Sequence, residues 1–166
     1  MQPKKAKQSE QVRKRIFKLS LIILILALAH QIDHVIRGSL IENHHLDPNW
    51  NHSGWPFLDV ITPFTFIVPI ILAVISIGLY LTIKTDSWPR YWLANGIILT
   101  AVVGQVHFLS GSKTESPNVI YLSYTESING PLGTILGLLG NLLLLAIFIA
   151  LGWIIYEAYK VTRDKF

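Results

Sequence analysis

The sequence has no cysteine among its 166 residues. Disulfide bonds, thiolate metal ligands, iron–sulfur clusters and cysteine nucleophiles are therefore excluded, and a metal would need imidazole and oxygen ligands. Charge is also scarce, because only 14% of the residues are Asp, Glu, Lys or Arg whereas 51% are hydrophobic. This balance is too apolar for an ordinary soluble domain of this length, and it indicates an integral membrane protein with one domain.

Four long apolar runs predict an all-α, integral membrane four-helix bundle. The predicted helices cover about residues 19–36, 58–83, 91–109 and 131–156. Together they form a transmembrane domain at 19–157, which lies between a basic N-terminal tail at 1–18 and a short tail at 158–166. Pro63 and Pro69 predict a kink or local unwinding in the second helix, because proline removes a backbone hydrogen bond.

Residues 38–57 and 110–130 are predicted to be loops that connect the helices on one side of the membrane. In the second loop, residues 119–124 alternate loosely between apolar and polar side chains. Such a pattern predicts a short strand or a segment that lies at the membrane interface.

The distribution of basic residues predicts the orientation of the bundle. The N-terminal tail holds seven Lys and Arg residues, the turn at 84–90 holds two and the C-terminal tail three, whereas Arg37 and Lys113 lie on the opposite side. Basic residues flank membrane helices mainly on the cytoplasmic side, so both termini are predicted inside and both loops outside. The expected partner of the basic positions is the lipid bilayer and not nucleic acid. A multi-pass protein of the plasma (inner) membrane is favoured.

The first helix could instead be a secretory signal peptide, since a basic start and an apolar run precede the small residues at 27–29. Cleavage would then follow Ala29. However, apolar positions continue at helical spacing through Ile32, Val35 and Ile36, and the whole segment is long enough to span a bilayer. An uncleaved first helix is therefore favoured.

Four ionisable side chains share one helical face at the end of the first predicted helix. These residues have the helical spacing i, i+3, i+4 and i+7, and they are His30, Asp33, His34 and Arg37. An ionisable group inside a membrane segment costs about 2.5–3.5 kcal/mol by insertion scales, so this face is expected to turn toward the bundle interior. His107 lies near the same end of the third helix. We expect these side chains to meet.

A transition-metal site at the extracytoplasmic end is the leading functional hypothesis, with His30, Asp33, His34 and His107 as ligands. Two imidazoles at i and i+4 form half of a chelate, and a facing imidazole with a carboxylate completes three nitrogens and one oxygen. This donor set suits Zn²⁺, Cu²⁺ or Fe²⁺. Asp33 could alternatively orient an imidazole by accepting a hydrogen bond from the ring nitrogen that does not bind the metal. The protein would then be a small enzyme or a metal-handling or assembly factor, and no residue indicates a substrate.

Three alternatives remain open. One is a haem b electron carrier with His107 and either His30 or His34 as axial ligands, which is less favoured because no histidine lies near the opposite membrane face. Another is a proton or ion pathway, which is poorly supported because only Asn141 lies near the membrane centre. The third is a non-catalytic assembly or interaction subunit, in which Asp33 and Arg37 form a structural ion pair at i, i+4.

Small residues recur along the fourth predicted helix at Gly133, Gly137 and Asn141, with Gly140 beside them. Such a stripe allows helices to approach closely. Packing within the bundle is the favoured interpretation. A homodimer or a larger membrane complex through the Gly133/Gly137/Asn141 face is the alternative.

Overall fold

The computed structural model describes residues 3–40, 53–58, 60–109 and 115–163, and all regular secondary structure in these ranges is helical. The α-helices are α1 (Pro3–Val35), α2 (Pro63–Lys84), α3 (Trp88–Gly104), α4 (Pro117–Ser127) and α5 (Pro131–Arg163). The π-helical segments Ile36–Leu40 and Gln105–Leu109 continue α1 and α3. Four of the helices are long and apolar enough to cross a membrane, which confirms the predicted all-α membrane bundle.

The basic tail is helical and belongs to α1, which begins at Pro3 and not at Leu19 as predicted. Lys, Arg, Gln, Glu and Ala are good helix formers, and tertiary contacts fix the first turns of the spanning segment. Val12 and Ile16 are buried. The Arg13 guanidinium donates hydrogen bonds to carbonyls at the end of α2, those of Thr82 at 2.6 Å and Ile83 at 2.8 Å. This arrangement satisfies carbonyls that a helix end otherwise leaves unpaired.

The beginning of α1 and the end of α5 lie at the same end of the bundle, where Arg15 and Glu157 are 3.5 Å apart. We call this end the basic end, and the opposite end the histidine end. At the basic end the indole N–H of the buried Trp92 donates to the Thr82 hydroxyl at 2.9 Å. A Cβ at Gly78 would lie 2.5 Å from the Trp92 ring, so a glycine is needed for this close contact between α2 and α3.

The second helix begins later than predicted, at Pro63 and not at residue 58. Pro63 occupies the first turn, where a missing N–H costs nothing, and Thr62 before it is extended with φ −129° and ψ 172°. The Thr62 N–H donates to the Thr65 hydroxyl at 3.1 Å. Pro63 therefore starts the helix instead of kinking it, while Pro69 lies inside it.

Residues predicted to be a loop with a short strand form the helix α4 instead. Ser116 caps its first turn, since its hydroxyl accepts from the Val119 N–H at 3.3 Å, and Pro117 occupies the first helical position. The short turn 128–130 then leads into α5, against which α4 packs. The strand interpretation was wrong because loose alternation over so few residues does not distinguish a strand from a helix with one buried face.

The stripe of small residues on α5 packs against α4. A Cβ at Gly133 would lie 2.7 Å from the Tyr124 carbonyl oxygen, and one at Gly137 would lie 3.0 Å from that of Tyr121. Further along, the Asn141 amide donates to the Pro117 carbonyl at 2.9 Å. The two helices are therefore antiparallel and in close contact, as the packing interpretation expects. The homodimer through this face stays a prediction.

Candidate metal centre

Three imidazoles from two membrane helices meet at the histidine end. His30 and His34 lie one turn apart on α1, and His107 lies on the π-helical segment that follows α3. The ring centroid of His30 lies 4.4 Å from that of His34 and 5.2 Å from that of His107. One nitrogen from each ring lies within 4.8 Å of the others. The expected meeting of His107 with the α1 histidines is confirmed, and the group could hold a metal ion.

Binding a metal would require only small side-chain movements. Tetrahedral zinc with nitrogen ligands at about 2.05 Å places those nitrogens about 3.3 Å apart. The three ligand nitrogens lie within 4.8 Å of one another. Each distance between two of them would therefore have to shorten by at most about 1.5 Å. Rotations about the side-chain bonds of the histidines provide such a movement.

His30 has fewer hydrogen bonds than the other two histidines among the described residues. Both of its ring nitrogens are shielded from solvent, and neither has a hydrogen-bond partner among the described residues. A shielded polar group without a partner costs about 1–3 kcal/mol, so such groups are rare unless they bind a ligand or water. A metal ion at the centre of the three imidazoles would provide a partner for one of the two nitrogens.

Glu115 contacts both of the other histidines and was not among the predicted ligands. Its backbone carbonyl accepts a hydrogen bond from the His107 Nδ1–H at 2.5 Å. Its carboxylate oxygen Oε1 lies 3.2 Å from His34 Nδ1. Arg37 Nη2 donates to the other oxygen, Oε2, at 2.9 Å, and it also lies 3.2 Å from His34 Nδ1. His107, protonated at Nδ1, has an unprotonated Nε2, the form that binds a metal.

Asp33 belongs to a charged network beside the imidazoles. Its Oδ2 accepts from Arg37 Nε at 2.8 Å, and its Oδ1 accepts from the Tyr124 hydroxyl at 2.7 Å. The ion pair of Asp33 with Arg37 at i, i+4 is thus present. The three-histidine group does not include Asp33. The role of Asp33 as a direct ligand stays a prediction. Its contacts with Arg37 and Tyr124 fit the alternative, in which Asp33 positions neighbouring side chains and does not bind the metal.

The network keeps its outer members in fixed protonation states. Burial raises the pKa of the Glu115 carboxyl, but Arg37 and His34 outweigh burial and hold this pKa well below its usual range. Burial and the neighbouring Asp33 carboxylate raise the pKa of the Tyr124 phenol. Glu115 therefore stays an acceptor and Tyr124 a donor. With Arg37 between two carboxylates, the buried network carries one net negative charge, which favours a cation nearby.

The π-helical segment helps to position His107 beside His30 and His34. Within Gln105–Leu109 the helix is wider than an α-helix, and single π turns inside helices occur often at functional sites. In this segment His107 is buried whereas Gln105 is exposed. The periodicity of the sequence alone gives no sign of the π turn.

The hydrogen bond from Tyr124 to Asp33 gives a testable prediction. Tyr124→Phe removes the donor but keeps the ring, and a hydrogen bond to a charged group contributes about 1.5–3 kcal/mol. We expect the free energy of unfolding in detergent to fall by about that amount. Tyr121→Phe on the same helix is the matched control and should change it by less than about 0.5 kcal/mol. Equal effects of the two substitutions would argue against this bond.

No protein-family model, curated protein or solved structure matches this chain. Function is therefore inferred from the chemistry of the site.

Proposed function

We propose that this protein binds one transition-metal ion, with zinc favoured over copper and iron, through His30, His34 and His107 at the histidine end of the bundle. The observation that carries the proposal is the pair of shielded nitrogens of His30, which have no partner among the described residues and lie beside His34 and His107, with one nitrogen of each ring within 4.8 Å of the others. Zinc is commonly bound by three histidines, with its fourth coordination position open. Hydrogen bonds to the ring nitrogens that do not bind the metal hold such histidines in place.

The charges around the site support a divalent ion. The network of Asp33, Arg37 and Glu115 carries one net negative charge, and the three histidines are neutral when they act as ligands. A divalent ion with one hydroxide would bring the total to zero. When bound, such an ion supplies a Lewis acid that lowers the pKa of a water in its open position to about 7.

The packing of the rings favours an ion over haem. A haem needs its macrocycle between two axial imidazoles. The centroids of His30 and His107 are 5.2 Å apart, and those of His34 and His107 are 6.3 Å apart. With all three rings this close together, a single ion fits the centre better than a macrocycle does.

We also propose that the histidine end faces the extracytoplasmic side of the plasma (inner) membrane. Twelve of the 14 Lys and Arg residues lie in the tails and the 84–90 turn, on the opposite side. An ion could then be acquired from outside the cell.

Elemental analysis of the detergent-purified protein tests the metal proposal. The wild type should contain about one metal ion per chain, since the donor set forms a single site. His30→Ala, His34→Ala and His107→Ala should each lower the metal affinity about ten-fold or more, because two imidazoles remain where three are needed. Gln105→Ala is the matched control, since Gln105 is exposed and shares the π-helical segment with His107, and it should retain the metal.

Size-exclusion profiles and melting temperatures of the apo proteins establish that each variant is folded. Two results would contradict the proposal. One is a folded histidine variant that retains the full wild-type metal content. The other is a wild-type protein that holds no metal after incubation with zinc, copper and iron. Either result would favour the interpretation of the cluster as a structural element of an assembly subunit.

A further inference from the structure

A cavity of about 80 Å³ adjoins the three histidines and extends into the apolar part of the bundle. Its walls come from α1, α2, α3 and α5, and its polar lining residues are His30, Gln31, His34 and His107. All other lining side chains are aliphatic. One water-sized sphere takes roughly 10–15 Å³ by the same measure, so the cavity holds several groups of methylene size.

The cavity is polar at one end and apolar at the other. On α1 its lining runs from His34 to Ile23, a distance of about 16 Å at 1.5 Å per residue. The deep end is closed by Ile23, Ile75 and Leu151, which are all buried. An amphiphile in one leaflet of a bilayer has the same arrangement, with its polar group near the surface and its chain toward the centre. The cavity therefore matches such a molecule in both polarity and direction.

The α2 and α3 walls of the cavity include half-buried side chains. Near the basic end these helices are held together by the hydrogen bond from the Tyr91 hydroxyl to the Val74 carbonyl, at 2.7 Å, and by the contact of Trp92 with Gly78. Toward the histidine end, Val68 and Val103 line the cavity and are only half-buried. The cavity is partly open to its surroundings, and a chain that enters between α2 and α3 would come laterally from the bilayer.

We propose that the cavity binds the alkyl chain of a bilayer amphiphile and places its polar group at the metal held by the histidines. This inference rests on the proposed metal function and names the ligand class of the same site. Among the described residues no Lys or Arg lines the cavity, so the polar group is recognised by the metal and by Gln31, and not by a basic side chain.

Two hydroxamates, which share one metal-binding group, serve as probes. Acetohydroxamate has no chain to place in the cavity, whereas octanohydroxamate has one. Calorimetry with the zinc-loaded protein in detergent should show about ten-fold tighter binding of octanohydroxamate, since burial of each methylene is favourable. The detergent itself competes for the chain, which keeps the gain below the value expected in water.

Ala27→Phe fills the cavity from α1 and should abolish the preference for octanohydroxamate while zinc content and acetohydroxamate binding stay at wild-type values. Leu28→Phe is the matched control, because Leu28 is the next residue and is 45% exposed to the lipid side. If Ala27→Phe does not fold, Val103→Trp fills the cavity from α3, with the exposed Ala101→Trp as its control.

The outcomes separate the two proposals. Full zinc content with the same preference for octanohydroxamate in the wild type and in the filled variant would overturn the amphiphile site and leave the metal site intact. The same conclusion follows if the wild type binds both hydroxamates equally. A wild type without zinc would remove both proposals.

Discussion

Gly133→Ala is expected to separate α4 from α5. An added Cβ at this position would clash with the Ile128 carbonyl oxygen and would lie 2.7 Å from that of Tyr124. Both are backbone atoms, one in the turn that joins the two helices and one in the last turn of α4, so no side-chain rotation relieves the contact. Overpacking of this kind costs about 1–3 kcal/mol and sometimes more, and we expect a value near the upper limit, about 3 kcal/mol.

The effect of Gly133→Ala should extend to the metal centre. Glu115 lies just before α4 and reaches His34 and His107 only while α4 is held on α5. We therefore expect both a lower free energy of unfolding and weaker metal retention, although every histidine is still present. Denaturation in mixed detergent measures the first effect, and elemental analysis measures the second.

Gly152→Ala provides the matched control on the same helix. A Cβ at Gly152 would meet nothing within 4 Å, and alanine is the better helix former by about 1 kcal/mol. This variant should equal or exceed the wild type in stability and should keep its metal. If the two alanine variants behaved alike, the close packing of α4 on α5 would be refuted.

Arg37→Met is expected to destabilise the histidine end by about 3–5 kcal/mol, the cost of breaking a buried ion pair from one side. Arg37 is fully buried, with its Nε on Asp33 and its Nη2 on Glu115. Removing it leaves two buried carboxylates facing each other without a cation. Arg37→Lys keeps the charge but not the forked donors, so it should be less destabilising.

The pH dependence of stability should change sign in Arg37→Met. In the wild type the pKa of Glu115 is held below its unfolded value by Arg37, so this contribution to stability is complete above about pH 4.3 and is lost as the pH falls toward the folded pKa. In Arg37→Met burial dominates and raises the pKa of Glu115, so its protonation on acidification restores stability. Unfolding measured on metal-free protein between pH 7 and 5 should show a gain for Arg37→Met. Stability that does not change between pH 7 and 5 in Arg37→Met, as expected for the wild type in this range, would contradict the assignment.

The α1 half of the site could be predicted from the sequence because it depends on helical periodicity alone. His30, Asp33, His34 and Arg37 share a face whatever the rest of the chain does, and the cost of ionisable groups in lipid turns that face inward. The approach of His107 also follows from counting turns along two helices of similar depth. Both predictions needed only the helix rise and the membrane thickness.

The role of Glu115 could not be predicted in the same way. Its position depends on α4 folding back along α5, and that contact depends on glycines that permit it without requiring it. Ser116 and Pro117 were a local signal for a helix start that could have identified α4. Even then, the hydrogen bond from His107 to the Glu115 backbone carbonyl involves an atom that every residue type has. No side-chain pattern indicates it.

The order in which the parts of the site occur along the chain has a consequence for biogenesis. During synthesis His30 and His34 enter the membrane first, His107 arrives with the third spanning helix, and Glu115 reaches them only after the α4–α5 hairpin has closed. A nascent chain that ends after α3 thus has all three imidazoles but lacks the contacts of Glu115 with His34 and His107. Since metal binding and folding are coupled when the ligands must be positioned, the proposed metal function implies that stable metal loading is the last event of membrane insertion.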